Sequence, residues 1–387
     1  MIEDVNPFVY SRPVPPEDVV DRDEEVEALL RSAVGGHYVR LYAPRKYGKT
    51  SLLTRALHDG GRTEGLVGVL VDLYRVSSIA DVTVRLERAY ARHLSGEIRG
   101  RVEAFLQRTG VGLSLGAFGI SARLQLDPAR DPLPALHALL DLPLRLEASG
   151  GFRAYVVFDE FQDIGRIDGL DGLLRSHIQH QGEVASYVFA GSEPGLMRLL
   201  FETKDRPLYG SAVPMRLGPL ADPDLAEYVA GRFEGSRRGV GEALNPLLVL
   251  ARGHPQRAML LAHRLWAEVE QGREATLDDW RAAHAAAMRE LEPEFDAQWR
   301  GLDASEQKTL RAVVLGDGSP YRAVALRRLE LTKDVVRRAV PRLAARADIE
   351  ERETGGYAIV DPLFAAWIDR LNDRPGDAEA PQTDPGL

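Results

Sequence analysis

Cysteine is absent from this 387-residue sequence, and lysine is scarce. Without cysteine the chain can form neither a disulfide nor a cysteine-ligated zinc site. Only five of the 49 basic residues are lysine, and the other 44 are arginine. A single arginine therefore indicates little about function here, whereas a lysine inside a motif indicates more.

Long apolar runs are also missing. No stretch approaches the roughly 20 apolar residues of a membrane-spanning helix, and the opening MIEDVNPFVY lacks the basic segment and apolar run of a signal peptide. A net charge of −9 argues against nucleic-acid binding by the entire protein surface, because most of that surface would repel phosphate. We expect a cytoplasmic protein of two or three globular domains.

A phosphate-loop motif is the strongest local pattern. The segment 43–50, APRKYGKT, matches G-x-x-x-x-G-K-[ST] at every defining position except the first, where alanine replaces glycine. A short β-branched and aromatic segment precedes it and a helix start follows, which is the context that this motif needs. The alternative is a chance match on an ordinary strand-to-helix turn.

The chemistry of such a loop is direct. Backbone N–H groups and a helix N-terminus surround the β- and γ-phosphates, the lysine adds a point charge, and the threonine hydroxyl can bind Mg²⁺. We therefore predict ATP or ADP as the ligand, Thr50 as a metal ligand, and phosphate contacts from Ala43, Pro44, Arg45, Lys46, Tyr47, Gly48, Lys49, Thr50 and Ser51.

An acidic pair ends a second apolar strand. The segment 153–160, RAYVVFDE, places Asp159 and Glu160 at the strand end, which is the Walker B arrangement. Asp159 would hold the water shell of Mg²⁺, and Glu160 would orient or deprotonate the attacking water. The alternative is a strand that ends in a solvated acidic turn. Further buried strands are predicted at 65–76 and 185–192, and a hairpin of unassigned role at 111–127.

The C-terminal part predicts three helices, a two-stranded hairpin with Gly355 and Gly356 in its turn, and a closing helix. Thr332 is a suitable N-cap for the third helix, which Pro341 would kink. Between residues 321 and 347 basic residues far outnumber acidic ones, which favours contact with a phosphate backbone. The candidate DNA contacts are Lys333, Arg337, Arg338 and Arg342.

Taken together, these segments resemble the archaeal-type P-loop ATPases of the AAA+/STAND group, with an origin-recognition-like ATPase core. The resemblance runs from Asn6 to Leu371 and is most specific at the phosphate loop, the Asp159–Glu160 pair, Gly253-His-Pro255 and the terminal YAIVDPLF. It implies an α/β fold with a five-stranded, mostly parallel sheet in the order 5-1-4-3-2, a helical lid and a C-terminal winged helix-turn-helix.

The resemblance also implies roles for residues outside the two motifs. Val19, Val20 and Arg22 would line the adenine pocket. Ser192 would be the polar sensor that contacts the γ-phosphate or the attacking water, and Arg206 would be an arginine finger. His254 and Pro255 of the lid would contact the nucleotide, with Arg257 as a second phosphate sensor; the alternative for this turn is an ordinary helix cap.

The implied domains are an ATPase core at 1–221, a lid and connector at 222–300, a winged helix at 301–372 and a disordered tail at 373–387. The function expected from them is an ATP-hydrolysing switch whose nucleotide state positions the winged helix, with DNA as a partner. Two alternatives stay open: a DNA-binding regulator that holds nucleotide without hydrolysing it, and a winged helix that contacts protein, either a partner or another part of the same protein.

Overall fold

The computed structural model describes residues 5–94, 96–108, 131–352 and 354–373. The chain divides into two compact units: Arg12–Gly218, here the sheet unit, and a helical unit that combines the residues up to Ser11 with those from Pro219 onward. The hairpin predicted at 111–127 and the tail from residue 374 lie outside the described residues.

Five parallel strands form the centre of the sheet unit. Their order is β2-β3-β4-β1-β5, which confirms the predicted order 5-1-4-3-2. The inner strands β3 and β4 are almost wholly buried, as their largely apolar sequences predict, whereas buried and partly exposed residues alternate along β1. The strands are β1 (Val39–Tyr42), β2 (Leu66–Asp72), β3 (Arg153–Asp159), β4 (Ala185–Gly191) and β5 (Val213–Arg216).

Helices alternate with these strands along the chain, as expected for a parallel sheet. They are α1 (Asp23–Gly35), α2 (Lys49–Gly60), α3 (Ile79–His93), α4 (Gly96–Arg108), α5 (Leu133–Leu140), α6 (Leu142–Gly150), α7 (Leu170–Ile178) and α8 (Pro194–Glu202).

Two helical stretches of the sheet unit are interrupted. The first consists of a 3-10 turn, Pro16–Asp18, followed by α1, and Asp21 between them has a left-handed φ of 47°. The second, rich in leucine, is split at Asp141 into α5 and α6. Pro143 explains that break, because it has no N–H to continue the helical hydrogen bonding.

The helical unit contains α9 (Asp222–Gly235), α10 (Leu244–Ala251), α11 (Pro255–Glu268), α12 (Leu277–Arg300), α13 (Ala304–Leu315), α14 (Ala323–Arg328), α15 (Lys333–Ala345) and α16 (Pro362–Asp373). Between α15 and α16 lies an antiparallel hairpin of β6 (Ile349–Glu351) and β7 (Tyr357–Ile359).

The C-terminal elements occur where the sequence predicts them. Gly355 and Gly356 take the left-handed φ values of 85° and 82° in the hairpin turn. The Thr332 side chain accepts a hydrogen bond from the backbone N–H of Val335 and caps α15. Pro341 lies inside α15, which continues through it to Ala345.

One apolar core extends through the helical unit. At one end Phe8 packs against Phe233, with ring centroids 5.4 Å apart. At the other, Phe295 of α12 packs against Phe364 of α16 at 5.3 Å. The lid and the C-terminal domain remain predicted as separate domains, although their core is continuous across residue 300. Within the described ranges, no helix combines the length and the apolarity that crossing a membrane requires.

Candidate functional site

The loop at 43–48 joins β1 to α2 and has two left-handed residues, Lys46 at φ 68° and Gly48 at φ 79°. No atom lies within 4 Å of where a Cβ on Gly48 would sit, so its φ and not crowding makes glycine suitable there. Ala43, which replaces the first glycine of the motif, is fully buried, and its N–H donates to the Gly191 carbonyl at 3.2 Å. The alanine methyl therefore fits the first turn of the loop.

Lys49 and Asp159 meet at the carboxyl end of the sheet. The Lys49 ammonium donates to Asp159 Oδ1 and, at 3.2 Å, to Glu160 Oε1. The Thr50 hydroxyl donates to Asp159 Oδ2 at 2.8 Å. Lys49 and Asp159 are each only 6% exposed. The structure thus brings together the two motifs that the sequence predicts to face each other.

The second oxygen of Glu160 has donors of its own. Oε2 accepts hydrogen bonds from the Ser192 hydroxyl at 2.7 Å and from the Gln162 amide at 2.6 Å. Glu160 itself has a left-handed φ of 51° between β3 and the 3-10 turn Phe161–Arg166. Ser192, predicted as a sensor, therefore contacts the predicted base directly.

The pKa of Glu160 is lowered by its surroundings. Burial acts to raise it, but the Lys49 charge and hydrogen bonds from Gln162, Ser192 and Lys49 outweigh burial. The group is therefore an ionised carboxylate at neutral pH, as a general base must be.

Gln162 was not identified from the sequence. It lies two residues after Glu160 and is only 3% exposed. A glutamine two residues after an acidic pair carries no specific signal by itself, because its partners become evident only once β3 and β4 are paired.

Other predicted residues of the sheet unit lie outside this cluster. Arg45 pairs with Glu193 at 2.9 Å, and the Ser51 hydroxyl accepts from the N–H of Val14 at 3.1 Å. Arg206 pairs with Asp171 of α7 at 3.3 Å, so its role as an arginine finger stays a prediction.

The predicted adenine-side residues lie where the chain enters α1. Arg22 is buried and donates to the Gly218 carbonyl at 2.7 Å and to Glu25 at 3.0 Å. The carbonyl of Val19 accepts from Arg55 at 3.3 Å, and Val20 is partly exposed. Contact of Val19, Val20 and Arg22 with a base stays a prediction.

The Gly-His-Pro turn of the helical unit caps α11. Gly253 has a φ of 68°, the His254 side chain accepts from the N–H of Arg257 at 3.4 Å, and Pro255 occupies the first turn. The Arg257 side chain is wholly buried and donates to Asp361 and Glu294. We do not assign this guanidinium to a nucleotide, because two carboxylates already engage it. Nucleotide contact by His254 and Pro255 stays a prediction.

Among the described residues no three His, Asp or Glu side chains converge on a point that would suit an ion. His177 contacts Asp141 at 2.8 Å and His137 at 2.7 Å. The Thr50 hydroxyl and the Asp159 carboxylate bring two oxygens together. This pair suits Mg²⁺, which usually binds only one or two protein oxygens and completes its coordination with water and phosphate.

The basic residues near α15 fall into two groups. Arg337 pairs with Asp334, Arg342 with Asp303 and Glu306, and Arg346 with Glu306 and Asp348. Four exposed cations make neither an ion pair nor a side-chain hydrogen bond with any described residue: Arg322, Arg327, Lys333 and Arg338.

The sheet order, the phosphate-loop conformation and the lysine–carboxylate cluster together describe a P-loop α/β fold of the Walker type. The fold of a Walker-type ATPase of Pyrococcus abyssi is similar, with a TM-score of 0.69 and 20% identity over 93% of this chain and 99% of that one. The ORC2 protein of Aeropyrum pernix, in ADPNP–ADP complexes, gives a TM-score of 0.55 and 15% identity over 94% and 97%. Its ADP form gives 0.52 and 16% over 94% and 96%.

Comparison with protein-family models gives no match. Comparison with curated proteins gives none either. The structural likenesses, all at low identity, establish the fold, and the function has to be argued from the site.

Proposed function

We propose that this protein binds ATP with Mg²⁺ and hydrolyses it to ADP and phosphate. The observation that carries the proposal is the buried cluster in which Lys49 and Thr50, at the start of α2, meet Asp159 and Glu160, at the end of β3. A cation, a hydroxyl and two carboxylates at the mouth of a phosphate loop are the groups that phosphoryl transfer to water requires.

Each group has a distinct part in this proposal. Lys49 and the backbone N–H groups at the start of α2 bind the β- and γ-phosphates, and Thr50 and Asp159 hold the metal. Bound Mg²⁺ supplies positive charge to the phosphate oxygens. Ionised Glu160 accepts a proton from the attacking water, and Ser192 orients that carboxylate through its hydroxyl.

Steady-state phosphate release is the test. Wild-type protein and Glu160→Gln are compared for phosphate release and, separately, for binding of a fluorescent ATP analogue. We expect both to bind the analogue and only the wild type to release phosphate. If neither hydrolyses ATP although both bind it, the protein is a non-catalytic nucleotide-binding regulator.

A second candidate function is DNA binding by the C-terminal helices and hairpin, acting as a winged helix. It is favoured by the four exposed cations on and beside α14 and α15 that make neither an ion pair nor a side-chain hydrogen bond with the described residues. Titration of a duplex at two salt concentrations tests it, since contacts to phosphates weaken steeply with salt. Failure to bind would favour the alternative in which this part contacts protein.

A further inference from the structure

Gln162 links the candidate base to the neighbouring strand. Its side-chain Nε2 donates to Glu160 Oε2 at 2.6 Å, and its Oε1 accepts the backbone N–H of Ser192 at 3.3 Å. Only one orientation of the amide satisfies both partners, because a carboxylate requires a donor and a backbone N–H requires an acceptor. The orientation of Gln162 is therefore fixed by its contacts.

The surrounding backbone leaves room for this amide and little more. A Cβ placed on Gly191, the last residue of β4, would lie 2.7 Å from Gln162 Oε1 and 2.5 Å from the sulfur of Met197. Gln162 itself is buried in the 3-10 turn between Phe161 and Asp163, which are buried too. The amide is thus held from its own turn and from the adjoining strand.

The two oxygens of Glu160 consequently differ. Oε2 takes hydrogen bonds from Gln162 and Ser192, both neutral donors fixed by the fold. Oε1 accepts a hydrogen bond from the Lys49 ammonium at 3.2 Å, at the mouth of the phosphate loop. Lys49 is the group expected to bind phosphate in the proposed function, and Gln162 is not.

We propose that Gln162 is a positioning residue that fixes Oε2 of Glu160 and thereby leaves Oε1 as the oxygen that takes the proton. This inference rests on the proposed function, in which Glu160 is the base. In that reaction the water oxygen forms a bond to the γ-phosphorus, and the water proton passes to Oε1. The bond from that phosphorus to the bridging oxygen breaks, and ADP leaves with its electron pair.

Gln181 offers a matched control in the same unit. It is a buried glutamine whose amide also makes one bond as donor, to the Leu140 carbonyl at 3.0 Å, and one as acceptor, from the Tyr187 hydroxyl at 2.5 Å. Gln162→Leu and Gln181→Leu each remove one such pair of bonds from the interior. A purely structural role for Gln162 predicts the same consequences for both variants.

The experiment measures turnover, nucleotide affinity and the ionisation of Glu160. For Gln162→Leu we expect kcat to fall by about 10- to 100-fold with the Kd of the ATP analogue changed less than threefold, a loss below the 10²–10⁴-fold typical of removing a general base. For Gln181→Leu we expect kcat near that of the wild type. Circular dichroism during heating gives the stability cost of each variant.

The ionisation measurement is independent of turnover. In nucleotide-free protein labelled with ¹³C at glutamate carboxyls, the resonance of Glu160 is the one absent from Glu160→Gln. Loss of the Gln162 hydrogen bond should raise the pKa of Glu160, because that bond stabilises the ionised carboxylate. Gln181→Leu should leave that pKa in place.

The outcomes separate the two proposals. If the wild type releases no phosphate, ATP hydrolysis is wrong, while a raised Glu160 pKa in Gln162→Leu would still support the positioning contact. If the wild type is active and Gln162→Leu keeps the wild-type kcat, the positioning role is overturned. An unchanged Glu160 pKa in Gln162→Leu overturns it in either case.

Discussion

The Thr50 hydroxyl donates a 2.8 Å hydrogen bond to Oδ2 of Asp159, joining residues 109 positions apart in the chain. Thr50 lies in the first turn of α2, and Asp159 is the last residue of β3. Two oxygens from different elements therefore converge at the carboxyl end of the sheet, where parallel α/β folds bind their ligands. This convergence is the basis of the proposed metal site.

The first prediction concerns metal dependence. Thr50→Val keeps the side-chain volume but removes the hydroxyl, so the Mg²⁺ concentration that half-saturates phosphate release should rise by about tenfold or more, the effect of about 1.4 kcal/mol. Binding of the ATP analogue in EDTA should be unchanged. A coupled phosphate assay across a Mg²⁺ titration measures this.

Thr54→Val is the control for this variant, because its hydroxyl lies one turn later on α2 and donates to the Thr50 carbonyl at 2.8 Å. It should leave the Mg²⁺ titration unchanged. If both variants raise the half-saturating Mg²⁺ concentration equally, the cause is a general effect on α2 and not the loss of a metal ligand.

The second prediction concerns Lys49. Lys49→Ala should abolish measurable nucleotide binding, because it removes the buried ammonium at the mouth of the loop that is expected to contact the β- and γ-phosphates. Hydrogen bonds from a charged group are worth about 1.5–3 kcal/mol each. Equilibrium titration with a fluorescent ATP analogue measures the effect. Lys204→Ala, an exposed lysine of the same unit, should bind like the wild type; nucleotide affinity retained by Lys49→Ala would refute the phosphate-loop assignment.

The proximity of the phosphate loop and the Asp159–Glu160 pair was predictable from sequence alone. Each motif consists of contiguous residues at a strand end, and the carboxyl ends of parallel strands lie at the same edge of a sheet. Contacts made by single residues across long stretches of chain were not predictable in this way. Asn6 donates to the His263 carbonyl at 2.9 Å, which helps to place the first residues with the helical unit. The contact between Gln162 and Ser192 likewise forms only because the residue after β4 lies beside the turn that follows β3.

The third prediction concerns the candidate base. Glu160→Gln should retain nucleotide affinity and lose about 10²- to 10⁴-fold in kcat, the usual contribution of general acid–base catalysis. The amide has nearly the same shape as the carboxylate but cannot accept the water proton as a base. Turnover is measured by phosphate release, with bound analogue quantified on the same preparation. Wild-type kcat in this variant would remove Glu160 from the mechanism.

The fourth prediction concerns DNA and distinguishes the basic residues that the sequence treats alike. Lys333→Ala and Arg338→Ala should each reduce the slope of log K against log salt by about one, because each removes one phosphate contact. Arg337→Ala should do the same, since its exposed pair with Asp334 is worth at most about 1 kcal/mol. Fluorescence anisotropy with a labelled duplex measures the slopes.

Arg342 should behave differently from its neighbours in this titration. Its guanidinium contacts Asp303 at 2.9 Å and Glu306 at 3.3 Å, and Glu306 is almost wholly buried. Arg342→Ala should therefore change the salt slope by less than one. If Arg342→Ala instead reduces the slope of log K against log salt by one, as expected for Lys333→Ala, then Arg342 leaves these carboxylates and contacts the phosphate backbone.

The fifth prediction concerns the buried pair of Arg257 and Asp361, which joins α11 to the residue before α16. Asp361 also accepts the N–H of Leu363 at 3.0 Å, a cap that asparagine can maintain. Asp361→Asn therefore removes mainly the charge. Glu294 still pairs with the Arg257 guanidinium at 3.1 Å, so the substitution should lower the free energy of unfolding by about 1–3 kcal/mol, less than the roughly 3–5 kcal/mol of a buried ion left uncompensated. All four tryptophans (Trp266, Trp280, Trp299 and Trp367) lie in the helical unit, so urea unfolding followed by their fluorescence reports on this unit.

The lowered pKa of Asp361 predicts how the stabilisation by this ion pair depends on pH. Burial acts to raise the pKa of Asp361, but the Arg257 charge and hydrogen bond lower it below its ordinary value of 3.8. The pair therefore stabilises fully above that value and is lost as the pH falls through the lowered pKa of the folded state. The difference in the free energy of unfolding between wild type and Asp361→Asn should have its full size at pH 7 and should become smaller below about pH 3.8. Asp278→Asn, which breaks the exposed pair with Arg281, should cost less than about 1 kcal/mol at any pH; an equal cost for both variants would contradict the importance of burial.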